Sequence, residues 1–264
     1  MQRFFSEKAC PETLRISASE RPESYHQMTR VLRMQVGDTC AFFENGGDDI
    51  VYEIIGIDKK AVELKRISVV AGPKPDALRI TLYQALPNKL EKLEFILQKG
   101  VETGIDEFVF FPAERSQKPV LLEKKYDRLR QIAVEAVEQS GGNRVPGVFF
   151  AKDLSGSLAK LPTGDFSERI GADSDVSEGM PTLLPAAGER GEILVAHTDG
   201  QATRLRDVGK NAKNIALFVG PEGGFSPREI EGFRSIGATF LDLGCRILRT
   251  ETAGVVTAFA LKAR

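Results

Sequence analysis

Apolar and polar positions change their rhythm once along this chain. Up to residue 72 the apolar residues fall in short runs broken by turn formers. "CAFFENGGDDIVYEIIGID" holds two such runs around Asn45-Gly46-Gly47, and "AVELKRISVV" follows as a third. Short strands joined by tight turns predict a small β-barrel over residues 1–72. "AGPKPDA", Ala71 to Ala77, carries two prolines and a glycine and reads as a linker.

Beyond the linker, over residues 73–264, strand patterns alternate with helical ones. "RITLYQAL" precedes a segment in which Leu93, Ile96, Leu97 and Val101 share a face. "EFVFF" precedes another with Leu129, Ile132, Ala133, Ala136 and Val137. Both sets recur at helical spacing. "GVFF" with "DLSGSLAKL", "EILVAH" with a polar segment, "IALFVG" with "SPREIEGFRSIG", and "TFLDLG" with "TAGVVTAFALK" continue the alternation. This predicts an α/β domain whose mostly parallel sheet is covered by helices. Pro162 to Glu192 breaks the pattern with Gly, Pro, Ser and seven acids against two bases, and reads as a flexible, solvated acidic insertion.

Composition narrows the classes. The 36 basic and 37 acidic residues give a net charge of −1, so no global basic field announces nucleic acid, although a local stripe is compatible with that total. Cys10, Cys40 and Cys245 are too scattered for a disulfide framework or a metal-ligand set. The N-terminus scatters charges where a secretory signal needs an apolar stretch, and no run approaches the ~18 apolar residues of a membrane span. A cytoplasmic protein is expected.

The chemistry concentrates in "FVGPEGGFSPREIE", Phe218 to Glu231. Ser226 suits a helix N-cap, Pro227 the first helical position, Glu229 the acid of a capping box, and Gly237 the helix end. Capping leaves Gly220, Gly223 and Gly224 unexplained; they permit conformations or close approaches that a Cβ forbids. A second loop, "LDLGCRILRTETAG", also follows a strand and opens a helix near Thr250. Two such loops at adjacent strand ends would hold one flat ligand between their backbones, with apolar walls from Leu243, Ile247 and Leu248. The competing reading is two ordinary strand-to-helix turns. GxxxxGK[ST], GxGxxG and GxSxG are absent, and His26 and His197 have no visible ligand set. The site so described needs neither a phosphate loop nor a metal.

"VGPEGGFSPREIE" and "LGCRILRTETA" together resemble the C-terminal signature of the SPOUT methyltransferases, specifically the RsmE-type enzymes that methylate N3 of a uridine in 16S ribosomal RNA of the small subunit. "HQMTRVLRMQVGD", "QKGVETG", "ERS" at Glu114 to Ser116, and "AVEAVEQSGGNRVP" extend the resemblance over both regions in order. It implies a PUA-like RNA-binding domain, a C-terminal domain with a deep trefoil knot, a homodimer, and S-adenosylmethionine held in the knot. The implied cofactor residues are Leu217, Val219, Gly220, Pro221, Glu222, Gly223 and Gly224, then Leu243, Gly244, Ile247, Leu248 and Thr250, with Thr198 as a third contact.

Methyl transfer to N3 requires loss of the N3 proton and stabilisation of the negative charge left on the uracil carbonyls. Arg249 is the leading candidate for that stabilisation, against a pocket-shaping ion pair with Glu222 or Glu251. Glu222 and Glu251 are candidate proton acceptors, but a structural anchor role is the better reading for both. Arg3, Arg30, Arg33, Asn143 and Arg144 are the candidate RNA contacts. Relatives often carry arginine where this chain has Gly142. Competing readings are a SPOUT enzyme acting on transfer RNA or a ribose hydroxyl, and a non-catalytic ribosome-binding module.

Overall fold

A computed structural model describes residues 1–116, 125–151, 153–154, 191–197 and 202–264. All but the first two residues of "DLSGSLAKL", where a helix is expected, lie outside those residues, as do residues 162–190 of the acidic insertion. Two compact units emerge. The first comprises Met1–Pro75 and Val134–Val145, the second Asp76–Ala133 and Pro146–Arg264.

In the first unit, strands β1 (Gln2–Phe5), β2 (Thr13–Ser17), β3 (Thr39–Phe43), β4 (Asp49–Ile57) and β5 (Ala61–Val70) form one sheet in the order β1-β3-β4-β5-β2. All pairs are antiparallel except β1 with β3. The β3–β4 hairpin turns at Asn45-Gly46-Gly47, where Gly46 adopts a φ of 78°. Alternating residues such as Val62 and Leu64 of β5 point inward onto Phe4, Phe42, Tyr52 and Met28. Phe4 stacks on Phe42 with centroids 5.2 Å apart, and Tyr52 meets Phe42 edge-on at 5.8 Å, a geometry that adds to simple burial. Cys40 lies fully inside this core, where burial pushes its thiol up to about 12 and leaves it a packing residue. A short helix α1 (Pro22–His26) runs on through a π-turn over Gln27–Val31.

In the second unit, β6 (Arg79–Ala85), β7 (Glu107–Phe111), β8 (Gly147–Phe150), β9 (Gly191–Ala196), β10 (Thr203–Arg204), β11 (Asn214–Val219) and β12 (Thr239–Asp242) form a parallel sheet. Its order is β10-β12-β9-β11-β6-β7-β8. The central strands are apolar almost throughout, as strands covered on both faces must be. Helix α2 (Leu90–Glu102) buries Leu93, Ile96, Leu97 and Val101, the face its spacing predicts. It comes so close to β7 that a Cβ on Gly100 would sit 2.6 Å from the Phe108 ring. Helix α3 (Tyr126–Ser140) starts in this unit, where Leu129 and Ala133 are buried and Ile132 half-buried; its last residues, with buried Ala136 and Val137, belong to the first unit. Helices α4 (Pro227–Ser235) and α5 (Thr250–Lys262) follow β11 and β12.

Candidate functional site

The carboxyl ends of β9, β11 and β12 open onto a cavity of about 540 Å³. Open parallel sheets place ligands there because the strand-to-helix loops diverge at that edge. The end of β11 contributes Val219, and the loop after it Gly220, Pro221, Glu222, Gly223 and Gly224. The loop after β12 contributes Leu243, Gly244, Ile247, Leu248 and Arg249, and the start of α5 contributes Thr250. Leu217 does not line the cavity; it is buried within β11. Thr198 lies outside the described residues, while its neighbour His197 lines the cavity at the end of β9.

The glycines act in two ways. Gly224 and Gly244 hold φ values of 68° and 106°, in the left-handed region that disfavours a side chain. Gly220 instead lies too close to the loop's return: a Cβ there would stand 3.2 Å from the Phe225 nitrogen. Thr250 fastens the two loops together. Its buried hydroxyl donates to the Gly220 carbonyl at 2.7 Å and accepts from Gln84 Nε2 at 2.9 Å.

Helix α4 is anchored from its first turn. Ser226 Oγ accepts from the Glu229 N–H, and Glu229 Oε2 accepts from the Ser226 N–H at 2.7 Å, completing the capping box. The other carboxylate oxygen, Oε1, accepts from the Glu114 N–H at 2.9 Å and so ties down the loop after β7. Beside it, Arg115 donates to the Gly223 carbonyl at 3.0 Å.

Charges ring the cavity. Lys92 of α2 donates to Glu222 Oε1 at 2.6 Å and stands 3.9 Å from Glu251 Oε2. Burial pushes the Glu222 carboxyl up, but the Lys92 hydrogen bond and the backbone N–H groups of Glu222 and Asn88 outweigh it and hold the group below its ordinary value. Arg249, the N-cap residue of α5, leaves its side chain 83% exposed with Nη1 3.9 Å from Glu251 Oε1. Among the described residues Glu222 pairs with Lys92, and Arg249 with Glu251. Lys92, Arg115, Arg246 and His197 also line the cavity. Arg246 falls inside the second loop and His197 beside Thr198, whereas Lys92 comes from a distant helix and "ERS" hinted at the loop of Arg115.

A family model described as an RNA methyltransferase domain matches residues 74–262, and one described as an RNA methyltransferase PUA domain matches residues 21–65. The chain belongs to the RsmE-type RNA methyltransferases. It is 30% identical over 257 residues to the ribosomal RNA small subunit methyltransferase E of Bacillus subtilis, covering 96% of this chain and 93% of that one. A Legionella pneumophila protein described as a methyltransferase, solved with bound SAM, superposes with a TM-score of 0.79 at 26% identity, covering 99% of this chain and 96% of that one. A Porphyromonas gingivalis protein described as an rRNA methyltransferase gives a TM-score of 0.75 at 26% identity, covering 100% and 99%.

In this RNA methyltransferase the five residues expected to touch RNA fall into two groups. Arg30, within the π-turn, and Arg33, just past it, are exposed, and Arg33 holds a φ of 53°, the one left-handed non-glycine residue among those described. Arg144 is exposed too. Arg3 is largely buried: it forms a bidentate pair with Asp49 at 2.7 and 2.8 Å, donates to the Gly142 carbonyl at 2.7 Å, and lies over the Phe43 ring. Asn143 spends its amide on the Gly47 and Pro73 carbonyls. That geometry makes Arg3 and Asn143 braces within the first unit.

Proposed function

We propose that this protein transfers a methyl group from S-adenosylmethionine to N3 of a uridine in 16S ribosomal RNA of the small subunit. The observation that carries the reading is the cavity bounded by two backbone loops that Thr250 ties together, at the sheet edge where ligands bind. Its residues fit an adenosyl group. Leu243, Ile247 and Leu248 supply an apolar wall, and the backbone at Gly220 and Gly224 has no side chain to obstruct it. Bound there, the donor supplies an electrophilic methyl group; the chain supplies position and charge. Arg249 stabilises the negative charge that develops on the uracil carbonyls.

The PUA match favours an RNA substrate, and the name of the Bacillus relative favours ribosomal RNA over transfer RNA. Residues 1–72 then hold RNA through Arg30 and Arg33, and residues 73–264 carry the reaction. The family's knot belongs to the same reading. It is supported by β12 lying between β9 and β10, two strands laid down before it. A homodimer is part of it as well: Phe95 of α2 and Val256 and Phe259 of α5 stay exposed on two helices that pack together.

The test is to incubate the protein with labelled methyl donor and unmodified 16S RNA or small subunits and to identify the labelled nucleoside. The expected product is 3-methyluridine. Label in a ribose or in another base overturns the reading.

A further inference from the structure

Glu222 and Glu251 are the two carboxylates that line the cavity among the described residues. Glu222 is committed. It takes hydrogen bonds from the Lys92 ammonium and the Asn88 N–H, and those bonds stabilise its charged form at the expense of its basicity. Glu251 is arranged differently. It lies on the first turn of α5, next to Arg249 and Thr250, with its side chain 15% exposed. Oε2 is buried and receives no hydrogen bond among the described residues. The closest cations, Lys92 Nζ to Oε2 and Arg249 Nη1 to Oε1, each stand 3.9 Å away, beyond hydrogen-bond length. A buried carboxylate oxygen without a donor is costly, and it persists where a ligand completes it.

We infer that Glu251 is the catalytic base that accepts the N3 proton of the target uracil. The inference rests on the uridine-N3 reading and names the group that reading leaves open. The Glu251 carboxylate takes the N3 proton, and the N3 electron pair forms the bond to the methyl carbon. The carbon–sulfur bond breaks with its electrons passing to sulfur. A carboxylate and a sulfonium thus become a carboxylic acid and a neutral thioether, and charge balances. Arg249, two residues before it, meets the charge on the uracil oxygen while Glu251 meets the proton. Around the cavity the other ionisable groups are Lys92, Glu222, Arg115, Arg246 and His197. Of these His197, which packs edge-on against Phe240, is the alternative proton acceptor.

The experiment compares the wild type with Glu251→Gln and His197→Gln in single-turnover methylation of small-subunit RNA between pH 6 and 10. Donor affinity is followed by calorimetry and RNA affinity by anisotropy. Glu251→Gln is expected to bind both ligands within about threefold of the wild type and to react roughly a hundredfold or more slowly at pH 7. Its rate then climbs about tenfold per pH unit into the alkaline range, where the uracil imide ionises without help; the wild type levels off. Glu251→Asp keeps a carboxylate and is expected to retain the wild-type shape of the profile at a lower rate, which preserves the test if the glutamine variant does not fold. A Glu251→Gln profile parallel to the wild type, or an alkaline rise in His197→Gln alone, overturns the assignment. If the wild type yields no 3-methyluridine, the uridine-N3 reading itself falls. If it does and Glu251→Gln is unimpaired, only the base is wrong.

Discussion

Thr250 shows how one hydroxyl governs the donor site. It donates to the Gly220 carbonyl and accepts from Gln84, whose side chain is fully buried. Thr250→Val keeps the shape and removes both bonds, stranding a carbonyl and an amide N–H in the interior. The expected cost is about 1–3 kcal/mol in a urea melt, with donor affinity down by about tenfold because Gly220 is released. Thr250→Ser keeps the hydroxyl and is expected to bind donor within about threefold of the wild type. Equal donor affinity in all three proteins contradicts this linkage. Arg249 sits beside Thr250 yet behaves oppositely. Its side chain is mostly exposed and its ion pair among the described residues is with Glu251, at 3.9 Å, so Arg249→Ala is expected to leave stability unchanged. Turnover should fall by about a hundredfold or more while calorimetric donor affinity survives, as loss of a contact made in the transition state requires. Undiminished turnover removes Arg249 from the mechanism.

Helix α4 carries its own predictions. Removing the Ser226 hydroxyl takes away one acceptor at the N-terminus, so Ser226→Ala should cost about 1 kcal/mol in a denaturant melt. Glu229→Ala should cost more, about 2–3 kcal/mol, because Glu229 is buried and accepts from both Ser226 and Glu114. Equal costs for the two variants would mean that the Glu114 bond contributes nothing. The same residue marks the limit of sequence reading. The Ser226–Glu229 box spans three positions and is visible as a local pattern, whereas the bond to Glu114 spans 115 residues and has no local signature. Lys92 meets Glu222 across 130 residues for the same reason. Central strands such as β7 and β11 announce themselves as apolar runs. β10, two exposed residues at a sheet edge, buries nothing and leaves no pattern. β1 lies parallel to β3, so no tight turn between them is available to signal the pairing.

At the scale of the whole chain, the first unit is closed by a segment far from it in sequence, Val134–Val145. That segment is held by Arg3 on Gly142, by Asn143 on Gly47 and Pro73, and by the Glu138 carboxylate, which accepts from the Phe5 N–H at 2.7 Å. A linker drawn at Ala71 to Ala77 marks where the first unit's leading stretch ends but gives no sign of the returning piece. Glu138 makes this closure sensitive to pH. Burial raises its pKa from 4.5 to about 7; the Phe5 N–H opposes that shift, Glu135 adds to it, and Arg3 opposes it. Between pH 4.5 and about 7 the folded chain therefore holds a proton at this site that the unfolded chain has released. Its contribution to stability falls as pH rises through that window and is fully lost above the folded pKa. Glu138→Gln cannot ionise, and its amide oxygen still accepts from Phe5. Urea melts at pH 4.5 and pH 8 are expected to show little difference between variant and wild type at the acid end, and a more stable variant at the alkaline end by about 1–3 kcal/mol. A difference that stays constant across the two pH values would show that Glu138 does not titrate in this window, and the pH-sensitive closure would have to be abandoned.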